Sequence, residues 1–538
     1  MNITRISFSR SLTLVLSVLF VSLFLKGGGL IESDIKKDPP AIYAPAFYDI
    51  IIEGGRIIDG TGNPWYFGDI GITNEKIVAI GDLKEDKAKQ RIDAKGTFVV
   101  PGFIDIHTHS DGQVLNIPTA DNSVLQGLTT IVTGNCGGAP LPVGNFLEKV
   151  KNAGISINYI ALVGHGTVRS KAMGGSKNRP PTEKEMDEMK RIVEQSMKEG
   201  AYGMSTGLHY TPGNYAETDE LIELAKVVSR YGGIYCSHLR DESDYGIGLL
   251  AAVQEAINIG EAADIPVQIS HIKCLGKPVW YKSSQVLNLI NEGRQKGVNV
   301  MFDQYPYTAS LTGLWGAVIP AWAQEGGPKE FVKKLDDLML AEKIRGGIKD
   351  NIERRGGPGA IYLIKKKSFL SDLSVSWNVD PVDAAIRVQK EGGSQIISYN
   401  MTDFDVENYM QSPYGMIATD GGIRNEQIAD HPRSYGAFPR VLEVYVREKH
   451  LLTWEEAIRK MTSAPATQLG LTDRGILKPG MVADIVIFDP VTVKGKADYQ
   501  NPALNPDGIP YVLVNGSIVV ENSKHTGARP GKVLLNNK

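Results

Sequence analysis

The segment at residues 101–111 reads PGFIDIHTHSD, and it decides the fold. Residues 103–107 form a short apolar run typical of a β-strand, and the run ends in His107, His109 and Asp111. Because side chains alternate along an extended chain, the imidazoles of His107 and His109 lie on the same side. A set of ligand-type residues at the end of an apolar strand predicts a site at one edge of a sheet.

The same pattern recurs along the central part of the chain. Apolar strand-like runs alternate with helical patterns, which is typical of parallel βα units in an α/β protein. Eight runs are recognisable, near residues 103–107, 130–136, 159–165, 202–205, 234–238, 267–271, 298–305 and 416–420. Eight units can close a (β/α)8 TIM barrel. A surplus strand-like run at residues 395–400 leaves the choice of the eighth strand open by one element.

The two ends of the chain differ from the centre. Short β-branched runs separated by Gly, Asn and Asp occupy residues 48–99 and return at residues 475–538. We expect them to pair into one small β domain around a catalytic barrel at residues 100–474. Helical and Lys-rich patterns at residues 308–369 fit no single βα unit, so they predict a small inserted subdomain within the barrel.

The N-terminus predicts export. Arg5 and Arg10 precede an apolar run at residues 12–25, so residues 1–26 are typical of a secretory signal peptide, with a retained membrane anchor as the alternative. Residues 27–47 are typical of a linker. We therefore expect a periplasmic or extracellular protein, or one held at the membrane through this segment alone.

Composition limits the kind of partner. The formal net charge of -3, without a dense basic run, argues against nucleic acid and favours a small-molecule substrate. Three cysteines are too few for a disulfide framework. Either a reduced compartment or a metal site in an exported protein would explain them.

Ligand-type residues also end other predicted strands. Cys136 ends the second run, His238 the fifth, His271 the sixth and Asp420 the eighth. Active sites of such barrels lie at the C-terminal ends of the strands, and imidazole, thiolate and carboxylate are the usual zinc ligands. The sequence therefore predicts a zinc site formed by His107, His109, Cys136, His238, His271 and Asp420.

Several segments together resemble one family, the N-acyl-D-amino-acid deacylases (D-aminoacylases) of the amidohydrolase superfamily. They are PGFIDIHTHSD, VTGNCGGAP, LVGHGTVR, GMSTGLHYTPGNYAETDE, CSHLRDE, ISHIKCLG, DQYPYTAS, ATDGG and HPRSYGAFPRVL. The resemblance runs from about residue 48 to the end. It implies a metal-bearing barrel, a β-sandwich formed by both chain ends, and zinc-dependent hydrolysis of N-acyl-D-amino acids to a carboxylate and a free D-amino acid.

Two other reactions on this scaffold stay open as alternatives: a dipeptidase for peptides ending in a D-residue, and a cyclic amidase of the dihydroorotase or hydantoinase kind. A metal-containing binding protein without catalysis is a third possibility, which the intact set of ligands and acid/base disfavours.

The resemblance also implies a role for each metal ligand. Cys136, His238 and His271 match the ligands of one tightly held Zn²⁺. His107 and His109 match a second, weaker metal position, with the Cys136 sulfur able to bridge.

The same resemblance assigns the catalytic and substrate-binding groups. Asp420 matches the general base and acid that acts on metal-activated water, and it also matches a metal ligand. Lys273, Tyr305 and Arg433 match the groups that hold the substrate carboxylate. From spacing alone, Tyr305 is favoured only slightly over Tyr307.

Four neighbouring residues have less specific interpretations. Cys236 and Cys274 are expected to be buried free thiols rather than ligands. Asp241 and Glu242 either support a metal-bound histidine or form ion pairs with Arg240.

Overall fold

The computed structural model describes residues 47–536, and its centre is the predicted ring of eight parallel strands. The strands are Phe103–Asp105, Leu128–Thr133, Asn158–Ala161 with Val163–Gly164, Gly203–Gly207, Ile234–His238, Val267–Ile269, Val300–Gln304 and Gly415–Ile417. Neighbouring strands pair in parallel, and a parallel bridge between Thr108 and Gly421 joins the first strand to the eighth. The predicted barrel is confirmed.

The barrel strands are apolar on both faces because both faces are covered. Ile234 and Cys236 point into a hydrophobic cluster inside the ring, whereas Tyr235 between them packs in the cluster shared with the surrounding helices. Likewise, Val132 packs in the cluster inside the ring, and Ile131 packs in the cluster shared with the helices. This two-sided burial explains why the strands appear in the sequence as continuous apolar runs without polar alternation.

Helices alternate with the strands along the chain. Their bounds are Asp121–Val124, Val143–Ala153, His165–Met173, Glu183–Lys198, Thr218–Ser229, Leu249–Ala263, Ser283–Gln295, Asp403–Gln411, Arg433–Arg440, a π-helix at Val441–Glu448, Trp454–Met461 and Ser463–Leu469. The helix Glu183–Lys198 begins at a capping box, in which Thr182 accepts a hydrogen bond from the backbone of Glu185 and the Glu185 carboxylate accepts one from Thr182.

The inserted subdomain has its own sheet and its own core. Its antiparallel strands are Ala309–Gly313, Gln395–Tyr399, Ile361–Leu363 and Ser368–Phe369. Its helices are Leu314–Val318, Gly327–Lys334, Leu338–Arg354, Leu370–Trp377 and Pro381–Lys390. A separate hydrophobic cluster runs from Leu314 to Ile396.

The insertion is therefore longer than the predicted span of residues 308–369. The strand that completes its sheet is the surplus run, Gln395–Tyr399, which pairs antiparallel with Ala309–Gly313. The partner of a lone apolar run is set by long-range pairing, which a local pattern does not contain. This pairing also removes the ambiguity over the eighth barrel strand, which is Gly415–Ile417.

Both chain ends contribute to one nine-stranded sheet. Its strands are Phe47–Ile57, Tyr66–Thr73, Lys76–Gly81, Lys87–Asp93, Phe98–Pro101, Ile485–Phe488, Tyr511–Val514, Ser517–Glu521 and Lys524–His525. The two ends meet where Phe98–Pro101 pairs antiparallel with Ile485–Phe488. The segment after this sheet, predicted as part of the β domain, instead hydrogen-bonds to the third barrel strand, where Tyr159 N donates to Lys532 O at 2.8 Å.

The predicted signal or anchor at residues 1–26 and the linker at residues 27–47 lie outside the described residues, apart from Phe47, which begins the first strand of the β domain. Within residues 47–536, no helix combines the length and the apolar character needed to cross a bilayer.

Candidate metal centre

The six predicted ligands meet at the C-terminal end of the barrel. Closure of the ring brings the segments after the first and eighth strands side by side. His109 N donates to Gly421 O at 2.6 Å, and Asp420 N donates to His107 O at 3.0 Å. Residues more than 300 positions apart in the chain thus become neighbours through two backbone hydrogen bonds.

The sulfur of Cys136 lies at the centre of the group. It is 3.3 Å from His271 Nε2, 3.5 Å from His238 Nδ1 and 3.5 Å from His107 Nε2. With a Zn–S bond of about 2.3 Å, a Zn–N bond of about 2.0 Å and a tetrahedral angle, sulfur and nitrogen ligands lie roughly 3.5 Å apart. The donor types and their spacing around the sulfur therefore fit a zinc ion bound at Cys136 by neighbouring imidazoles.

A second set of donors adjoins the first. His109 Nε2 lies 3.1 Å from Asp420 Oδ1, and His107 Nε2 lies 3.6 Å from the same oxygen. Ligand atoms of His107, His109 and Asp420 all lie within 4.8 Å of one another, as do those of His107, Cys136 and His271. Because His107 belongs to both groups, the geometry accommodates two adjacent metal positions.

The backbone at three of these residues is strained. Cys136, His271 and Asp420 have φ values of 52°, 32° and 46°, in the left-handed region that residues other than glycine seldom adopt. Each such residue costs about 1–3 kcal/mol, and such conformations cluster at functional sites. Their occurrence at the ends of three different strands marks this edge of the barrel as the site.

Glu242 supports two of the histidines. Its carboxylate lies 3.2 Å from His271 Nδ1 and 3.9 Å from His238 Nε2, and it accepts a hydrogen bond from Lys273 Nζ at 2.6 Å. A carboxylate on the outer nitrogen of a ligating imidazole fixes its orientation and tautomer. Lys273 Nζ lies 2.8 Å from the same Nδ1, so Glu242 and Lys273 together fix the outer edge of the His271 ring while its Nε2 faces the Cys136 sulfur.

The adjacent Asp241 does not take part. It accepts backbone N–H groups of Ser243 and Gly248, and so shapes the loop after the fifth strand. Arg240 pairs with Glu255 instead of with either neighbour, at 2.8 Å. Of the two predicted interpretations, support of a histidine holds for Glu242, and ion pairing with Arg240 holds for neither acid.

Asp303 is a site residue that sequence reasoning missed. It ends the seventh strand, fully buried, with Oδ1 3.5 Å from His107 Nδ1 and accepting from His271 N at 2.8 Å. Gln268 Nε2 donates to its other oxygen at 2.7 Å. The available signal was an acidic residue inside an otherwise apolar strand, two positions before Tyr305.

The electrostatics separate Cys136 from the other cysteines. Burial opposes ionisation of the Cys136 thiol, but the charges of His271 and His107 hold its pKa well below the ordinary value. Burial raises the pKa of Cys236 well above that value and the pKa of Cys274 to about 12. All three cysteines are free, and of the three only Cys136 has surroundings that favour the thiolate.

Asp420 is also kept ionised. Burial favours its neutral form, but the charges of Arg433 and His271 hold its pKa well below the usual carboxyl range. Arg433 Nη1 donates to Asp420 Oδ2 at 2.7 Å, and both side chains are almost fully buried. For His109, burial opposes protonation, but hydrogen bonds to Asp420 and Cys136 raise its pKa to about 9.

A cavity of about 290 Å³ opens over the metal ligands, and Lys273, Tyr305 and Arg433 all line it. The Arg433 guanidinium lies 5.0 Å and Lys273 Nζ lies 5.9 Å from the centre of the Tyr305 ring. The buried hydroxyl of Tyr305 has no hydrogen-bond partner among the described residues. Tyr307 instead packs under Arg440, so the cavity geometry favours Tyr305, as the spacing does.

Comparison with known proteins gives consistent matches. The chain matches the Amidohydrolase family profile over residues 90–286 and 380–520. It is 37% identical over 508 residues to an N-acyl-D-glutamate deacylase of Alcaligenes xylosoxydans xylosoxydans, which covers 90% of this chain and 96% of the relative.

Two solved structures cover 91% of this chain and 100% of their own. One is an N-acyl-D-glutamate deacylase from Bordetella bronchiseptica, complexed with zinc and a phosphonate inhibitor that mimics the tetrahedral intermediate, at a TM-score of 0.79 and 34% identity. The other is a D-aminoacylase with a binuclear metal centre, described by one-metal activation and second-metal attenuation, at a TM-score of 0.77 and 30% identity.

Proposed function

The chain belongs to the amidohydrolase family and, within it, to the N-acyl-D-amino-acid deacylases, and we propose that it hydrolyses the amide bond of N-acyl-D-amino acids. The products are a carboxylate and a free D-amino acid. The observation that carries this proposal is the thiolate-centred donor set, with Cys136 Sγ 3.3–3.5 Å from three imidazole nitrogens. Asp420, Lys273 and Arg433 are among the charged residues that line the cavity above it.

Cys136, His238 and His271 would hold one zinc ion tightly, with the Cys136 sulfur 3.5 Å from His238 Nδ1 and 3.3 Å from His271 Nε2. His107 and His109, with Asp420 and the shared sulfur, form a second and weaker position. The charge of the thiolate would already be shared with the first zinc ion. A second ion bound by His107, His109 and Asp420 would therefore gain less electrostatic stabilisation. When bound, zinc supplies Lewis-acid polarisation of the amide carbonyl and makes water a nucleophile near neutral pH.

Asp420 moves the proton. One carboxylate oxygen faces His109 and the other is bound by Arg433, so the group stays ionised and fixed at the mouth of the barrel. It accepts a proton from the attacking water as general base and delivers that proton to the leaving nitrogen as general acid. Delivery of the proton lets the amine leave as a neutral group.

Lys273, Tyr305 and Arg433 hold the α-carboxylate of the substrate. The two cations flank one tyrosine ring, and the unpartnered Tyr305 hydroxyl is a donor available to an anion in the cavity. A guanidinium can bind a carboxylate bidentately, which fixes the orientation of the substrate relative to the metal. With the α-carboxylate of the substrate fixed next to Asp420, the site can distinguish the two configurations of the α-carbon.

The test couples metal analysis to a substrate panel. The purified protein is assayed on matched N-acetyl-D- and N-acetyl-L-amino acids, on dipeptides ending in a D-residue, and on cyclic imides, while bound zinc is measured. We expect zinc in the active protein and turnover of the N-acetyl-D series alone. Equal turnover of both enantiomers, or activity only on cyclic imides, contradicts the proposal.

We further propose that residues 1–26 direct export of the protein, as either a cleaved signal or a retained anchor. The apolar run at residues 12–25 after Arg5 and Arg10 supports this. Cell fractionation with N-terminal sequencing tests it. A periplasmic or secreted protein that has lost these residues indicates a signal peptide, and an intact membrane-bound chain indicates an anchor. An intact chain in the cytosolic fraction contradicts export.

A further inference from the structure

A buried arginine lines the cavity without a counter-ion. Arg355 follows the helix Leu338–Arg354 of the inserted subdomain and is 2% exposed. Its Nε donates to Ala317 O at 3.2 Å, and its Nη1 donates to Ser398 Oγ at 3.3 Å. No carboxylate of residues 47–536 lies within ion-pair distance of its guanidinium.

Two other cations of the cavity differ from Arg355 in this respect. Lys273 Nζ is 2.6 Å from Glu242, and Arg433 Nη1 is 2.7 Å from Asp420. A buried charge without an opposite charge is strongly unfavourable, and neutral acceptors offset only part of its lost hydration. The position of Arg355 is therefore best matched by a ligand that brings a negative charge of its own.

The inserted subdomain fixes where this charge lies. Ala317, which accepts from Arg355, follows Gly316, whose carbonyl accepts from His209 Nε2 at 3.0 Å. The His209 ring in turn stacks on His238, with ring centroids 5.9 Å apart. This short chain of contacts places the guanidinium on the cavity wall that the insertion contributes, next to the metal ligands.

Arg424 also lines the cavity but matches an anionic ligand less well. Its side chain is only half-buried, and its Nη1 donates to the adjacent Ile423 O at 3.0 Å. Solvent hydrates and screens such a group, so its charge needs no ligand. Arg355, with the lower exposure, has the greater need for a partner.

We infer that Arg355 binds a second carboxylate of the substrate, separate from the α-carboxylate, and so selects doubly anionic N-acyl-D-amino acids. This inference rests on the proposed deacylase function. The second carboxylate has two chemical sources: the side chain of an acidic D-amino acid, or a dicarboxylic acyl group. A guanidinium recognises either one bidentately, through two parallel N–H donors.

Matched substrates distinguish the two sources. N-acetyl-D-glutamate and N-acetyl-D-aspartate are compared with N-acetyl-D-glutamine and N-acetyl-D-asparagine, which have nearly the same shape without the charge. N-succinyl-D-leucine is compared with N-acetyl-D-leucine. We expect kcat/KM to favour the anionic member of at least one comparison by about 10- to 100-fold, the range of a charge-assisted hydrogen bond.

Substitutions assign that preference to a residue. Arg355→Gln is expected to reduce the ratio of kcat/KM for the anionic substrate to kcat/KM for its neutral counterpart by about 10- to 100-fold. Arg355→Lys, which keeps the charge, is expected to reduce this ratio by less. Arg345→Gln is the control, because Arg345 lies in the same subdomain but pairs at the surface with Asp380 and Asp383. Thermal unfolding of each variant shows whether the subdomain remains folded. The substrate comparison with the wild-type protein tests the charge preference even if a variant does not fold.

Three results overturn the inference and leave the deacylase function standing: turnover of N-acetyl-D-amino acids without preference for a second charge, a folded Arg355→Gln protein with the wild-type ratio, or loss of the ratio in Arg424→Gln instead. Absence of turnover of every N-acyl-D-amino acid overturns the proposed function and the inference together.

Discussion

Replacement of Cys136 by serine tests the metal centre most directly. The sulfur lies 3.3–3.5 Å from nitrogens of His107, His238 and His271, so in the proposed site it contributes to both metal positions. Serine keeps the size class of the side chain but offers a shorter, neutral hydroxyl. The His271 ring is expected to stay in place, because Lys273 Nζ and Glu242 contact its outer nitrogen at 2.8 and 3.2 Å, independently of the thiol.

The expected loss follows from the share of one ligand. Structural zinc sites bind with about 10–16 kcal/mol across four ligands, so one thiolate contributes about 2.5–4 kcal/mol. That corresponds to a Kd for zinc that is about 100- to 1000-fold higher in Cys136→Ser. We expect turnover at limiting zinc to fall in parallel, since the second position shares the same sulfur.

Competition with a chromogenic chelator measures the Kd, and metal analysis after dialysis measures retained zinc. Cys236→Ser and Cys274→Ser are matched controls, because Cys236 lies in the apolar interior of the barrel and Cys274 Sγ contacts Tyr409 OH at 3.3 Å. Both are expected to retain zinc. A Cys136→Ser protein whose Kd stays within about threefold of the wild type, or a Cys236→Ser protein that loses as much zinc, refutes the reasoning.

Three further predictions concern the groups around the metal. Asp420→Ala is expected to lower kcat by at least about 100-fold while zinc stays bound by Cys136; wild-type turnover of this variant would exclude Asp420 as the proton carrier. Glu242→Gln is expected to weaken zinc binding by about 10- to 100-fold in chelator competition. It should also lower the thermal unfolding temperature, because Lys273 keeps its charge without its carboxylate; unchanged values for both would show that Glu242 is dispensable. Removal of metal by a chelator should abolish turnover, and one equivalent of zinc should restore it; a requirement for two equivalents would contradict the assignment of a single tight working site.

The strand pattern predicted the barrel because it is a local property. A run such as residues 159–163, YIALV, is apolar at every position since both faces of a parallel strand are covered, and its length distinguishes it from a helix. The rule that sites lie at the C-terminal ends of barrel strands then selected His107, Cys136 and Asp420 from the residue types alone.

Contacts that depend on side-chain direction were beyond the same reasoning. Asp241 and Glu242 are adjacent in the sequence and chemically alike, yet the first caps a loop and the second orients His271. Asp303 reaches His107 across the ring from a strand nearly 200 positions later. The end of the insertion was misplaced because its last strand pairs with a partner more than 80 residues away.

The sequence by itself determined the α/β barrel and the zinc chemistry, because periodicity and the types of residue at strand ends are written locally in the chain. Only the tertiary structure decided which carboxylate meets which imidazole, and that Arg355 is buried with no counter-ion among residues 47–536 while its neighbour Arg354 pairs with Asp244 at the surface. The physical reason is ring closure and the packing of the insertion. Both bring distant segments to within a few ångströms of each other. Contacts at that distance determine which charged side chains are buried and which are paired.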